Sequence, residues 1–386
     1  MNVAGFTSTG SKRPDALYGD HAAMAPLHLA RSAGCRIYDA AGREWLDYVM
    51  ALGAVALGYG HPAVNAAVFD AVERGTIGAL APDDEEALAA ELALAIPLLE
   101  QVRFLKTGAE AVAAAVRIAR VATGRDAVLG CGYHGWLDWC SSANGVPDAV
   151  RQLYSTVPFN DIDGTVAAIR AGGDRLACVV AEPVIDGAPD VAWLRALRDE
   201  TERCGAVLIF DEVKTAFRVS VGGAAERWGV RPDLMVIGKA LANGYPLAAV
   251  GGRAALMRSV ADTWISSTTA TEYVSLAAAG AVVRIFRREP VVAHLAARGA
   301  ELERGLHRVA AAHPALIESV GGIAEMCHLN CRTPDISARV AVAAAARGLL
   351  WKRGAYNFVS LAHTAVDVEH ACTTLDQALH DLATGA

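Results

Sequence analysis

The sequence predicts an α/β fold in which a mainly parallel sheet lies buried between helices. Short, wholly apolar runs recur along the middle of the 386-residue chain, and segments with helical spacing lie between them. Strands of a parallel sheet are covered on both faces, so their sequences are continuously apolar and do not alternate. The alternation of such runs with helices therefore favours an α/β core.

The elements follow in chain order. Residues 35–48 predict a hairpin with Gly42 in its turn. Residues 193–204 have helical spacing, and Gly205 follows as a helix stop. The predicted core strands are residues 127–129, 176–181, 206–210, 234–237 and 247–251. Further helices are predicted at about residues 109–122, 291–312 and 368–383.

Three segments describe the expected domain organisation. Residues 51–285 would form a large α/β domain. Residues 1–50 and 286–386, the two chain ends, together form a smaller α+β domain. The chain has no internal repeat and no low-complexity block that would suggest another arrangement.

Composition excludes several classes of protein. With 53% hydrophobic and 20% charged residues, the chain is too apolar to be disordered. The mean hydropathy is +0.28, but no run approaches the roughly 18 apolar residues of a membrane span. The polar start of the sequence lacks a signal-peptide core, so we expect a cytoplasmic protein. A net charge of −7 argues against nucleic acid and anionic membranes as partners.

The eight cysteines are scattered along the chain and predict free thiols, not a disulfide framework. Cys327 and Cys331 flank His328, but no second half of a metal site follows at the expected spacing. We interpret this segment as a partly buried strand and expect no metal.

One glycine pattern is misleading. Gly130-x-Gly132-x-x-Gly135 follows a predicted strand and matches the dinucleotide-binding fingerprint. Gly145 and Pro147, however, prevent a long helix after it. A second match, at residues 58–63, is interrupted by a proline. The context therefore argues against a nicotinamide or flavin oxidoreductase.

Two charged residues follow buried strands, where ligands of open α/β sheets bind. Lys239 comes after the apolar run 234–237, and apolar neighbours would lower its pKa and suit it to Schiff-base chemistry. A surface lysine at a helix start is the alternative. Asp211 ends the run 206–210 and could pair with a pyridinium nitrogen. An ordinary helix N-cap is the alternative there.

A phosphate site and an aromatic face complete the set. Thr107, Gly108 and Ala109 would offer a hydroxyl and N–H groups at a helix N-terminus, although they could equally be a simple cap. Tyr133 could cover a planar ring, and His134 could bond substrate or serve a structural role. A Schiff-base lysine, a pyridinium partner, a phosphate cradle and a stacking aromatic together match pyridoxal 5′-phosphate.

The motifs that contain these residues resemble the class III pyridoxal-phosphate aminotransferases of fold type I, and among them the glutamate-1-semialdehyde aminomutases and their relatives. The resemblance covers most of the chain and implies a mainly parallel seven-stranded sheet in the large domain. The motifs are Thr107-Gly-Ala-Glu-Ala, Tyr133-His-Gly, Ala181-Glu-Pro-Val, Phe210-Asp-Glu-Val and Gly238-Lys-Ala.

The resemblance also implies roles for matching residues. Lys239 would carry the cofactor as an internal aldimine and shuttle protons, and Asp211 would hold the ring nitrogen. Thr268 would reach the phosphate of a neighbouring subunit, which implies a homodimer with shared active sites. The other cofactor-binding positions would be Thr107, Gly108 and Ala109 at the phosphate, Tyr133 and Val213 on the two ring faces, and His134 and Glu182 nearby.

Departures from the family pattern bear on the substrate. Ala51-Leu52 stands where the aminomutase has serine and tryptophan, and Thr107 stands where serine is usual. Thr271-Glu-Tyr replaces the Gly-Asn-Pro of most members, and some relatives that aminate keto-sugar acids have a similar Thr-Glu. The carboxylate of Glu272 could meet a hydroxyl or ammonium group of a polar acceptor.

These departures favour an aminotransferase that moves an amino group from a small-molecule donor to a ketone or aldehyde acceptor, for example a keto-sugar or a biosynthetic ketone. The alternatives are an intramolecular aminomutase of the glutamate-1-semialdehyde type and a non-catalytic regulatory protein that binds pyridoxal phosphate.

Overall fold

The computed structural model describes residues 2–385, and the chain divides into two compact units. One unit comprises Met1–His61 and Ala293–Ala386, and the other comprises Pro62–Val292. The domain limits expected after residues 50 and 285 stay a prediction. Within residues 2–385, no helix is both long and apolar enough to cross a bilayer.

Strands and helices are numbered in chain order. The strands are β1 (Arg31–Ala33), β2 (Arg36–Tyr38), β3 (Glu44–Asp47), β4 (Gln101–Leu105), β5 (Ala127–Cys131), β6 (Tyr154–Thr156), β7 (Leu176–Ala181), β8 (Val207–Asp211), β9 (Leu234–Ile237), β10 (Ala248–Gly252), β11 (Ile317–Ile323), β12 (Met326–Cys331) and β13 (Leu349–Leu350). The helices are α1 (Pro14–Tyr18), α2 (Met50–Gly53), α3 (Pro62–Glu73), α4 (Asp83–Ala95), α5 (Gly108–Thr123), α6 (Asp148–Arg151), α7 (Ile162–Gly172), α8 (Val191–Cys204), α9 (Gly223–Trp228), α10 (Ala254–Met257), α11 (Tyr273–Arg288), α12 (Val291–Ala312), α13 (Pro334–Ala346) and α14 (Ala365–Thr384).

The unit Pro62–Val292 is built on a seven-stranded sheet in the order β4-β10-β9-β8-β7-β5-β6. Strands β5 to β9 are parallel, and β10 is antiparallel to both of its neighbours. The sequence treats β10 as one more strand of the parallel set. Only residues 238–247 separate it from β9, which is too short for a crossover helix, so the chain returns antiparallel.

Helix α5 covers one face of this sheet because its inner surface is made of small and branched residues. Ala111, Ala115 and Ile118 are fully buried there. Its first turn is fixed by a capping box, and its end is set by Gly124 in the left-handed region, with φ 66°. Helix α8 likewise ends at Gly205, with φ 70°, as the sequence predicts.

The other unit contains both chain ends, which confirms the predicted smaller α+β domain. Its four-stranded sheet has the order β1-β2-β3-β13, with the predicted hairpin at β2 and β3 and with β13 parallel to β3. Strands β11 and β12 form a separate hairpin, and Cys327 and His328 lie buried in β12. Helix α13 is absent from the sequence prediction, although Thr333 as N-cap and Pro334 at its first position are recognisable start signals.

Candidate active site

The carboxyl ends of β5, β7, β8 and β9 open onto one cavity of about 330 Å³. Parallel strands place their carboxyl ends at the same edge of a sheet, so residues distant in sequence meet there. The structure brings eight of the predicted site residues to this cavity: Gly108, Ala109, Tyr133, His134, Glu182, Asp211, Val213 and Lys239.

Asp211 is the last residue of β8 and is buried, with 5% of its surface exposed. One carboxylate oxygen accepts the N–H of Val213 at 3.2 Å. The other lies 2.9 Å from Nδ1 of His134, which is itself buried and stacks on Trp139 at 6.2 Å between ring centroids. His134 therefore orients the carboxylate of Asp211, a contact that the sequence does not predict.

A glycine-rich turn after β5 carries Tyr133 and His134. Gly132 and Gly135 both have φ 108°, a region that side chains rarely adopt. A Cβ atom on Gly132 would lie 2.6 Å from Oε2 of Glu182, and one on Gly135 would lie 2.5 Å from Cβ of Ala109. The glycines thus permit close packing, and only a short 3₁₀ turn, Asp138–Cys140, follows them, as the argument against a dinucleotide fingerprint predicts.

Lys239 follows β9 and has φ 45°, a left-handed conformation that is strained for a residue with a side chain. Its side chain lines the cavity. Burial, and after it the positive charge of Lys214, lowers the pKa of Lys239, while the carboxylates of Glu182 and Asp211 act in the opposite direction. A lowered pKa leaves more of the amine neutral and nucleophilic.

Glu182 follows β7 and is held at both of its oxygens. Oε2 accepts the backbone N–H of Tyr133 at 2.9 Å, and Oε1 lies 3.0 Å from Nζ of Lys214. The ring of Tyr133 itself is 71% exposed. Glu182 therefore ties the turn after β5 to the turn after β8.

The N-terminus of α5 presents Gly108 and Ala109 to the cavity. Thr107 is exposed and does not line the cavity. Its hydroxyl forms the capping box with Glu110, accepting the Glu110 N–H at 3.2 Å and lying 3.0 Å from the Glu110 carboxylate. Thr268 is also exposed and lies outside this cavity. The two threonines are thus the predicted site residues that the chain does not bring to the cavity.

Sequence reasoning missed seven residues that also line the cavity: Lys106, Gly135, Trp136, Lys214, Tyr245, Pro246 and Leu247. Lys106 and Lys214 could have been noticed in the sequence, because lysine is rare in this chain, with only five in all. Glu272, which the sequence suggested as a substrate contact, instead pairs with Lys106 at 2.6 Å and caps α11 through the N–H groups of Val274 and Ser275. These contacts lower the pKa of Glu272 against the opposing effect of burial, and they keep its carboxylate engaged within the chain.

Ala51 and Leu52, which stand where the aminomutase has serine and tryptophan, belong to the compact unit that contains the chain ends. Met50, Ala51 and Leu52 have φ of 46°, 50° and 60°, so α2 is a left-handed turn over these residues and not a regular helix. Three consecutive residues with side chains rarely adopt this conformation. Strain of this kind is typical of functional segments.

Comparison with known proteins identifies the family. The model of class III aminotransferases matches residues 18–382. The chain belongs to the class III aminotransferase family. A glutamate-1-semialdehyde 2,1-aminomutase of Pyrobaculum neutrophilum is 37% identical over 397 aligned positions that cover 93% of each chain.

Solved structures agree with this assignment. The FumI protein of Sphingopyxis sp. MTA144, in its PLP internal aldimine form, has a TM-score of 0.91 at 27% identity, covering 97% of this chain and 93% of its own. An omega-transaminase from Sphaerobacter thermophilus has a TM-score of 0.85 at 30% identity, covering 92% and 91%. These findings confirm the predicted family, the fold type I architecture and pyridoxal 5′-phosphate as the cofactor of this class III enzyme.

The residues of the cavity suit this cofactor. The N-terminus of the sixteen-residue helix α5 offers a phosphate the positive end of the helix dipole and free N–H groups. Gly108 has no side chain there, and a Cβ atom would lie 3.1 Å from the methyl groups of Val213. A buried carboxylate suits a protonated ring nitrogen, and a lysine of lowered pKa suits a carbonyl carbon. The donor set is therefore the one that a phosphorylated, cationic aromatic aldehyde requires.

Proposed function

We propose that this enzyme is an aminotransferase that moves an amino group from a small-molecule donor to a ketone or aldehyde acceptor. The observation that supports it most is the placement of Lys239, Asp211 and Glu182 at the ends of adjacent parallel strands around one cavity. When bound there, pyridoxal phosphate would supply an electron sink for a substrate carbon that loses a proton.

Each residue of the cavity has a proposed part in holding the cofactor. The N–H groups of Gly108 and Ala109 would bind the phosphate. Asp211, oriented by His134 at 2.9 Å, would keep the ring nitrogen protonated. The exposed ring of Tyr133 would cover one face of the cofactor, and Val213 would pack on the other.

Lys239 would supply both the covalent attachment and the proton transfers. Burial, and after it the neighbouring ammonium of Lys214, lowers the pKa of its amine and so favours the neutral form. A neutral amine can accept a proton from the α-carbon of a bound donor and return it to a neighbouring carbon, which an ammonium cannot do. The carboxylates of Glu182 and Asp211 act on this pKa in the opposite direction.

We further propose a homodimer. Thr268 lies outside the cavity of its own chain, which suits the expectation that it reaches the phosphate in a second copy. Large apolar side chains that a monomer would leave in water, among them Leu80 at 84% and Trp264 at 82% exposure, are available to an interface. A cytoplasmic location stays a prediction.

The second candidate is an intramolecular aminomutase. The related proteins of Pyrobaculum neutrophilum and Thermomicrobium roseum, 37% and 34% identical, both have that name, and their names support this candidate better than the first. The engagement of Glu272 with Lys106 also removes one argument for a polar acceptor. The likeness to an omega-transaminase and the replacement of the aminomutase tryptophan by Leu52 support intermolecular transfer.

One experiment separates these candidates. The enzyme is loaded with pyridoxamine phosphate, and candidate ketones and aldehydes are added with no amino donor present. Stoichiometric formation of an aminated product is expected, with return of the cofactor to its aldehyde form. The matched control, Lys239→Ala, should give no product.

Efficient conversion of glutamate-1-semialdehyde to 5-aminolevulinate, with no turnover of other acceptors, would establish the aminomutase instead. Bound cofactor with no half-reaction for any donor or acceptor would point to a non-catalytic regulatory protein.

A further inference from the structure

Three of the five lysines of the chain line the candidate active site. Two of them form ion pairs inside the same unit: Lys106 with Glu272 at 2.6 Å, and Lys214 with Glu182 at 3.0 Å. The third is Lys239, whose amine the proposed function requires in its neutral form. The role of a second buried lysine beside Lys239 is not explained by cofactor attachment.

Lys214 lies in the turn after β8, three positions beyond Asp211, and its side chain is only 6% exposed. Burying an ammonium is costly unless it is paired. Its partner Glu182 is fixed in turn by the backbone N–H of Tyr133 at 2.9 Å. The ammonium is therefore held at a defined position on the cavity wall by a carboxylate that is itself oriented.

The charged groups that act on the pKa of Lys239 come from three segments of the chain. Lys214 and Arg218 are positive and lie in the segment after β8, whereas Asp211 ends β8 and Glu182 follows β7. Asp211 is also engaged by His134. If Lys214 lost its charge, the two carboxylates would be opposed by Arg218 alone among these four groups. The protonated form of Lys239 would then be favoured.

We propose that Lys214 is a positioning residue of this active site, whose buried ammonium fixes the carboxylate of Glu182 and disfavours a second positive charge on Lys239. The inference rests on the proposed attachment of the cofactor to Lys239. The amine must be free of its proton both to attach the cofactor and to accept a proton from a substrate carbon. Lys214 acts on both events through its charge.

The test is a spectroscopic pH titration of the holoenzyme. The visible absorbance of bound pyridoxal phosphate is followed from about pH 5 to about pH 10, and the midpoint reports the proton on the linkage nitrogen, which is Nζ of Lys239. Lys214→Met should raise the midpoint by about one unit, the size expected for loss of a like charge at close range. Glu182→Gln should lower the midpoint, and the double variant should return it close to the wild-type value.

Two controls separate charge from packing. Lys214→Arg retains the charge and should keep the midpoint within about 0.3 units of wild type. Lys12→Met removes a positive charge at an exposed site outside the cavity and should leave the midpoint unchanged.

An unchanged midpoint in Lys214→Met, with borohydride still fixing the cofactor to Lys239, would overturn the role of Lys214 and leave the proposed function standing. Fixation to another lysine in the wild type would overturn the proposed function itself. If Lys214→Met fails to fold, Lys214→Gln is the second neutral variant, and an unchanged midpoint there contradicts the inference in the same way.

Discussion

Replacing Asp211 by asparagine perturbs the proposed electron sink while sparing the fold. The carboxylate is buried and uses its two oxygens separately, one for the N–H of Val213 and one for His134. Asparagine has the same size and keeps a carbonyl oxygen for the Val213 N–H. Its amide can donate to Nδ1 of His134 in the other ring tautomer. We therefore expect secondary structure and thermal stability close to wild type.

The expected loss of turnover follows from the lost charge. A hydrogen bond to a charged group contributes about 1.5–3 kcal/mol, and each 1.36 kcal/mol corresponds to about tenfold in rate. Loss of the charge-assisted bond to the ring nitrogen should thus lower turnover by about 10- to 150-fold. Poorer stabilisation of negative charge on the substrate carbon adds to this, so the range is a lower limit.

The assay is the single-turnover rate of the donor half-reaction, measured with saturating cofactor. Glu212→Gln is the matched control, because Glu212 is the next residue, is equally buried and points its carboxylate to the N–H groups of Ala224 and Ala225. That variant should retain turnover within about threefold. A rate for Asp211→Asn within threefold of wild type would refute the pyridinium role.

The remaining predictions concern stability and assembly. Burial raises the pKa of Glu212 from 4.5 to about 7, so the folded state binds this proton more tightly than the unfolded state does. About 3 kcal/mol of stability should therefore be lost as the pH rises from the lower to the higher value. Unfolding midpoints measured against pH should show this loss in the wild type and a flatter slope in Glu212→Gln. Glu272→Ala removes the cap of α11 and the partner of Lys106. Urea titrations should show the free energy of unfolding lowered by about 1–2 kcal/mol. A surface carboxylate without such contacts would show no such loss. Sedimentation should give twice the 40.3 kDa chain mass, and Trp264→Asp should shift the equilibrium to monomer. Thr268→Ala should leave the dimer intact and weaken its retention of the cofactor. A fully active monomer at micromolar concentration would contradict the dimer and the role of Thr268.

The sequence predicted the strands and the residues at their ends because both signals are local. A continuous apolar run such as 206–210 identifies a buried strand, and its last polar residue, Asp211, must then lie at the sheet edge. The direction of β10 was harder to predict from the sequence. Whether a strand runs parallel or antiparallel depends on the length of its connection and on its pairing partners, which an apolar run does not specify.

Contacts between distant segments were the part that the sequence could not supply. Lys214 and Glu182 lie 32 positions apart, and Lys106 and Glu272 lie 166 apart, so their pairing depends on the sheet order. Glu272 looked like a substrate contact because its motif departs from the family pattern. Its actual partners are a lysine and a helix N-terminus, which offer the nearest positive charge and N–H groups.

Borohydride reduction of the holoenzyme followed by peptide mapping tests the central claim most directly. Reduction fixes pyridoxal phosphate to the lysine that holds it, and the five lysines of the chain fall at well-separated positions. We predict label on the peptide that contains Lys239 and no fixed label in Lys239→Ala. Label on the peptide of Lys106 or Lys214 in the wild-type enzyme would contradict the account.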